Sequence, residues 1–139
     1  MIDSIDLPDP PRHLVDSSGW LEYFADDQNA DFFAEPIHQT GRLVVSTINV
    51  YEVFKHVLRK RGEDEALRAV AYVKQGVVVG LDSSLAIQAA RISHERKIPM
   101  ADSMILATSR ACDAELWTQD SDFEGIEDVR YVSKSEEES

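Results

Sequence analysis

Five carboxylates stand out in this 139-residue sequence as groups that could do chemistry together: Asp16, Glu52, Asp102, Asp120 and Asp122. Asp16 follows the short apolar stretch 13–15, and Asp120 follows another in Leu116-Trp117-Thr118-Gln119-Asp120-Ser121-Asp122-Phe123. If those stretches are parallel strands, both acids fall beyond strand carboxyl ends, where open sheets bind ligands. Glu52 and Asp102 lie in helical patterns, and periodicity does not bring them to the other two. Once gathered, such acids would suit hard cations such as Mg²⁺ or Mn²⁺ and not zinc, because no Cys or His accompanies them. An ion held there can activate water, polarise a phosphodiester and neutralise charge on a leaving oxygen.

Each acid also has an ordinary explanation. Asp16 could cap a helix by accepting a backbone N–H bond. Glu52 lies opposite Val50, Val53 and Val57, where a solvated residue could pair weakly with Lys55 or His56. Asp102 sits in the first helical turn after Pro99, where any carboxylate gains from the helix dipole. Asp120 and Asp122 suit a turn. Asp82 also follows a strand-like run and reads as a helix cap. The histidines His13, His38, His56 and His94 have no metal-ligand spacing, and there is no Gly-rich phosphate loop or nucleophile elbow.

The elements that must position these residues are legible in the hydrophobic pattern. Residues 13–15 read as a strand feeding a helix that carries Trp20, Leu21 and Phe24. Residues 29–39 read as a weaker helix interrupted by Pro36, and Leu43-Val44-Val45 as a second strand. Ser46 or Thr47 can cap a helix in which Val50, Val53, Phe54, Val57 and Leu58 recur at helical spacing, ending at Arg61-Gly62. A helix over 63–74 follows. Val77-Val78-Val79 is a β-branched run of the kind expected of a strand covered on both faces. Asp82 or Ser83 then caps a helix carrying Leu85, Ala86, Ala89 and Ile92, and Pro99 begins another through Met104, Ile105 and Ala111. Residues 115–118 and 129–132 complete the strands. Alternating strands and helices predict an α/β fold, a three-layer α/β/α sandwich with a mainly parallel central sheet.

The length suits one domain, and 43% hydrophobic with 29% charged residues is ordinary for a globular chain. No apolar run is long enough to span a bilayer, and the first dozen residues lack a secretory signal, so a cytoplasmic protein with no membrane association is expected. The single Cys112 forms no internal disulfide and reads as a small buried hydrophobe. The 26 acidic and 14 basic side chains leave a net charge of −12, which opposes the approach of a polyanion. Bound divalent cations would cancel part of that charge, and the SEEES terminus confines three charges to a tail. Lys55 and Arg59 share a helical face with Glu52, with Lys60, Arg61 and Arg68 close along the chain; the patch could hold phosphate groups or be a solvated face. Most of the aromatics Trp20, Tyr23, Phe24, Phe32 and Phe33 should be core, and any exposed remainder would offer a groove to a partner helix or a second copy.

Four segments resemble motifs of PIN-domain ribonucleases, in the family's order and spacing: Val15-Asp16-Ser17-Ser18, residues 46–53 (STINVYEV), residues 99–108 (PMADSMILAT) and residues 116–123 (LWTQDSDF). The chain is most similar to the compact VapC toxins of VapBC toxin-antitoxin pairs. It departs from them in an N-terminal extension over residues 1–12, in Trp117 where the family has a small apolar residue, and in its acidity. The resemblance implies a PIN domain over 13–133, followed by an acidic disordered tail over 134–139. It implies metal-dependent hydrolysis of RNA leaving a 5′-phosphate, with Mg²⁺ or Mn²⁺ as cofactor. Asp16, Glu52, Asp102 and Asp120 would be the catalytic, metal-binding quartet and Asp122 an accessory ligand. Ser17, Ser18 and Thr118 would orient carboxylates or water, and Lys55 and Arg59 would contact RNA. A VapB-type antitoxin and a second copy of the chain are the implied protein partners. The competing reading is a PIN-like binding module that holds metal or a basic peptide without cleavage. A receiver-like phosphoacceptor is more remote, because no suitable Lys follows a late strand.

Overall fold

The computed structural model describes residues 7–135, and the strands in it are β1 (Arg12–Val15), β2 (Leu43–Ser46), β3 (Val77–Val79), β4 (Ala114–Thr118) and β5 (Val129–Tyr131). All pair in parallel, in the order β3-β2-β1-β4-β5. The described helices are α1 (Ser17–Ala25), α2 (Ala30–Ile37), α3 (Thr47–Arg61), α4 (Glu63–Val73), α5 (Ser83–Arg96) and α6 (Met100–Ala111). None of them is long and apolar enough to cross a membrane.

The period-2 alternation of the central strands divides the core in two. Leu14, Val44 and Leu116 pack with Leu85, Ala89, Ile92, Ile105 and Leu106 from α5 and α6. Val15, Val45 and Trp117 face the other way, against Trp20, Phe33, Val53 and Val73 from α1, α2, α3 and α4. Two apolar faces on one sheet make the expected three layers. Close approach of α1 depends on Gly19, because a Cβ there would lie 2.5 Å from the Phe33 ring and 2.8 Å from Val15 Cγ1. Trp117 is accommodated by His13, whose Nδ1 lies 3.3 Å from the indole Nε1 and accepts its proton. Burial pushes the pKa of His13 down, which keeps that nitrogen available as an acceptor.

Helix starts follow local chemistry. Ser46 caps α3 by accepting from the Ile48 N–H at 3.0 Å, while Asn49 Oδ1 accepts from the Ser46 N–H, closing a capping box. Asp82 caps α5 through the Leu85 N–H at 2.9 Å. Gly62, at φ 93°, both ends α3 and opens α4, so the two helices fold back as a hairpin.

One expectation is corrected. The strand over 77–79 is not covered on both faces: β3 is a sheet edge, and Val78 is 37% exposed. A β-branched run records preference for a pleated backbone, and which strand lies at the edge is decided by topology. Of the N-terminal extension, residues 1–6 lie outside the described residues, and Leu7 packs against the α5–α6 core. Of the tail expected from residue 134, Lys134 and Ser135 are bonded to the α1–α2 junction, and residues 136–139 lie outside the described residues.

Candidate active site

The strand order changes direction between β1 and β4, which lie side by side with Val15 paired to Trp117. A crevice opens beyond their carboxyl ends because the helices following and preceding these strands depart to opposite faces. Asp16 leaves β1 at this point, its N–H bonded to the Trp117 carbonyl at 2.9 Å, and Asp120 leaves β4 two residues beyond Thr118. The same end of the sheet receives the N-termini of α1, α3 and α6, since α1 and α3 follow strands directly and α6 runs back toward the start of β4. Glu52 and Asp102 arrive on α3 and α6. Asp16, Glu52, Asp102 and Asp120 thus line one crevice of about 420 Å³, with Ser17, Ser18, Leu21, Tyr51, Lys55, His56 and Arg59.

Two of these crevice acids, Asp102 and Asp120, also form a tight group with Asp122, each of the three offering an oxygen within 4.8 Å of the others. Asp16 and Glu52 stand outside it in the same wall. Asp16 is 3% exposed and makes no capping bond into α1, so its ordinary explanation fails. Its Oδ2 accepts from Ser18 Oγ and from Thr118 Oγ1, both at 2.9 Å. Thr118 Oγ1 in turn accepts from the Asp120 N–H at 2.9 Å, so one hydroxyl couples the two strand-end acids. Asp120 also forms the turn that its composition suggested, its Oδ1 accepting from the Asp122 N–H at 3.0 Å. Ser17, in the same lining, accepts at its Oγ from Asn49 Nδ2 at 2.9 Å, tying α1 to α3.

The electrostatics express crowding. Burial, then the charges of Asp120 and Asp16 and a hydrogen bond with Asp122, push the Asp102 carboxyl up to about 8. Burial also raises Asp16, to about 6, against the opposing donation from Ser18 and Thr118. Acids held this close are relieved either by protons or by a cation. The donors of the tight group are all carboxylate oxygens, which fits a hard divalent ion, and Asp102, Asp120 and Asp122 would hold it with Asp16 and Glu52 in reach of the same crevice.

Sequence reasoning missed a second layer. Gln119, between Thr118 and Asp120, is gripped at both ends: its Oε1 accepts from Asn29 Nδ2 at 2.9 Å, and its Nε2 donates to Glu22 Oε1 at 3.1 Å. Glu22 is buried and also accepts from Lys134 Nζ at 2.8 Å and from the Asn29 N–H at 2.9 Å. These donors hold the Glu22 carboxyl below its ordinary range despite its burial. The one available signal was Glu22 itself, the single charged residue of α1; its partners are 7, 97 and 112 residues away. Asn49 was signalled by its place three residues after Ser46, where a capping box closes.

A family model for the PIN domain matches residues 13–129, and the chain belongs to that family. Among solved structures, it is similar to a toxin-antitoxin complex from Klebsiella pneumoniae, with TM-score 0.71 and 23% identity over 84% of this chain and 94% of that one. It is similar to a DNA-bound VapBC from Salmonella typhimurium, with TM-score 0.68 and 18% identity over 88% and 97% of the two chains. A sarcin-ricin loop cleaving VapC toxin from Mycobacterium tuberculosis aligns with TM-score 0.68 and 20% identity over 82% and 94%. No curated protein sequence matches significantly.

Proposed function

We propose that this chain is a metal-dependent endoribonuclease and the toxin of a VapBC-type pair, with Asp16, Glu52, Asp102 and Asp120 as its catalytic carboxylates and Asp122 as an accessory ligand. The observation that carries the reading is convergence: acids from four separate elements meet in one crevice at the switch point of the sheet. Membership of the PIN family supports nuclease chemistry, and the folds of the toxin-antitoxin relatives support the toxin assignment. Bound Mg²⁺ or Mn²⁺ would supply an activated water and charge neutralisation at the scissile phosphate. The chain's own residues do the positioning. Thr118 and Ser18 aim the Asp16 carboxylate, the turn at 120–122 presents two acids together, and Lys55 and Arg59 stand in the crevice wall where RNA phosphates would pass.

An antitoxin partner is supported by a second feature. A groove of about 540 Å³ between α1, α3 and α4 is lined by Leu21, Phe24, Val57, Ala69 and Tyr72, and Leu21 and His56 border both it and the acid crevice. A peptide bound along that groove would reach the carboxylates.

The test is cleavage of a single-stranded RNA by purified protein in Mn²⁺ or Mg²⁺, with sequencing of the product ends. The expected result is 5′-phosphate products, abolished by EDTA and by Asp16→Asn or Asp102→Asn, and growth arrest on expression that Asp102→Asn relieves. Intact RNA at every metal concentration, with metal binding retained, would leave a binding module instead.

A further inference from the structure

We infer that Tyr51 forms a nucleobase subsite, at which an unstacked base next to the cut phosphate stacks on the phenol ring. The inference deepens the nuclease reading and rests on it.

Tyr51 breaks the pattern of this molecule's aromatics. Trp20, Phe33, Trp117 and Phe123 are buried, and Tyr23, Phe24, Phe32 and Tyr72 pack against the core under α1 to α4. Tyr51, at 61% exposed, is the only aromatic among the described residues left largely in solvent. A ring on a helix surface gives up burial worth about 1.5–3 kcal/mol. The ring stands in the wall of the crevice that contains Asp16, Glu52, Asp102 and Asp120. It is also held in place: Lys55 Nζ lies 3.4 Å from the phenol oxygen and 5.6 Å from the ring centroid.

Charge explains why a ring is needed. The chain carries −12 overall, so its net charge opposes the approach of RNA. α3 is the local exception, with Lys55, Arg59, Lys60 and Arg61 against the single acid Glu52. A strand approaching along α3 would meet cations for its phosphates and, at Tyr51, a π-face whose attraction to a base does not depend on net charge. Every base has such a face, but a base within a duplex has both of its faces already stacked. The selection is therefore for unpaired nucleotides and not for a particular base.

The experiment uses fluorescent RNA oligonucleotides of one sequence, single-stranded and duplex, cleaved by the wild type in Mn²⁺ and bound by it in Ca²⁺. The expected result is that Tyr51→Ala raises KM and the binding constant for single strands by roughly 5- to 100-fold, the loss of one base–aromatic stack, with kcat little changed. Tyr51→Phe and Tyr51→Trp keep wild-type values. A single abasic nucleotide beside the cleaved bond weakens wild-type binding and leaves Tyr51→Ala unaffected, a comparison that exposes the subsite without relying on the variant's fold. Wild-type affinity in Tyr51→Ala, a Tyr51→Phe as weak as Tyr51→Ala, or equal use of duplex overturns the inference while Asp102→Asn still abolishes cleavage. A wild type that cleaves nothing removes the nuclease reading instead, and the Ca²⁺ binding series then judges the subsite alone.

Discussion

Thr118 is the residue through which Asp16 and Asp120 know each other's position: its hydroxyl donates to one acid and accepts from the backbone of the other. Thr118→Val keeps the shape and removes both bonds. RNA cleavage should fall about 10- to 100-fold, as for other groups that orient a ligating carboxylate, and Thr118→Ser should recover most of it; steady-state rates check this. The crowded acids make a second prediction. Asp102 and Asp16 are held up to about 8 and about 6, so without a cation these two carboxyls bind more protons in the folded chain than in the unfolded one from about pH 4 to about pH 8. More protons on the folded state means stability is lost as pH rises through that window. His13 and His56, held low by burial, contribute in the opposite direction near neutrality. The difference between wild type and Asp102→Asn isolates the effect. In EDTA, calorimetry should show the variant's Tm gaining on the wild type's as pH rises, with added Mn²⁺ closing the gap; a constant gap would refute the crowding.

At the scale of elements, the site is made by the ends of strands and the starts of helices, and its rigidity comes from what lies behind them. The turn carrying Asp120 is anchored through Gln119 to Glu22 on α1 and to Asn29, and the chain after β5 returns so that Lys134 closes on Glu22 and Asp27. Removing one partner of a buried pair costs about 3–5 kcal/mol, but Lys134 is 39% exposed and water can replace part of its role. Lys134→Ala should therefore cost about 1–2 kcal/mol in urea denaturation. It should also weaken Mn²⁺ binding measured by calorimetry, because the turn bearing Asp120 and Asp122 loosens. An unchanged metal affinity in a destabilised variant would confine Lys134 to holding the fold.

Over the whole molecule, an acidic protein carries two of its cations, Lys55 and Arg59, in the wall of the acid crevice. Reversing Lys55 and Arg59 together to Glu should lower kcat/KM for RNA at least about tenfold at low ionic strength, with the deficit shrinking as added salt screens it. A deficit independent of salt would mean that these residues act by contact alone. The same organisation shows how far the sequence could be read. The strands and helices were legible because their apolar residues repeat at periods of 2 and 3.6, and the layers followed from their alternation. The edge position of β3 was not, since Val77-Val78-Val79 would read the same in the middle of a sheet. Asp16 and Asp120 could be placed by local pattern at strand ends; Glu52, by periodicity alone, belonged in solvent.

What the sequence determined by itself is every signal whose cause lies within a few residues: the caps at Ser46 and Asp82, the break at Gly62, the turn at Asp120, and four motifs in order. Tertiary structure alone decided which acids meet. It gathered Asp16, Glu52, Asp102 and Asp120 into one crevice, set Asp122 beside two of them, bonded Ser17 to Asn49, and assembled the Glu22–Gln119–Lys134 anchor. The physical reason is range. Helix caps and turns are settled by bonds to near neighbours, whereas carboxylates repel and come together only when a fold stabilised elsewhere, by two apolar faces on one sheet, holds them there.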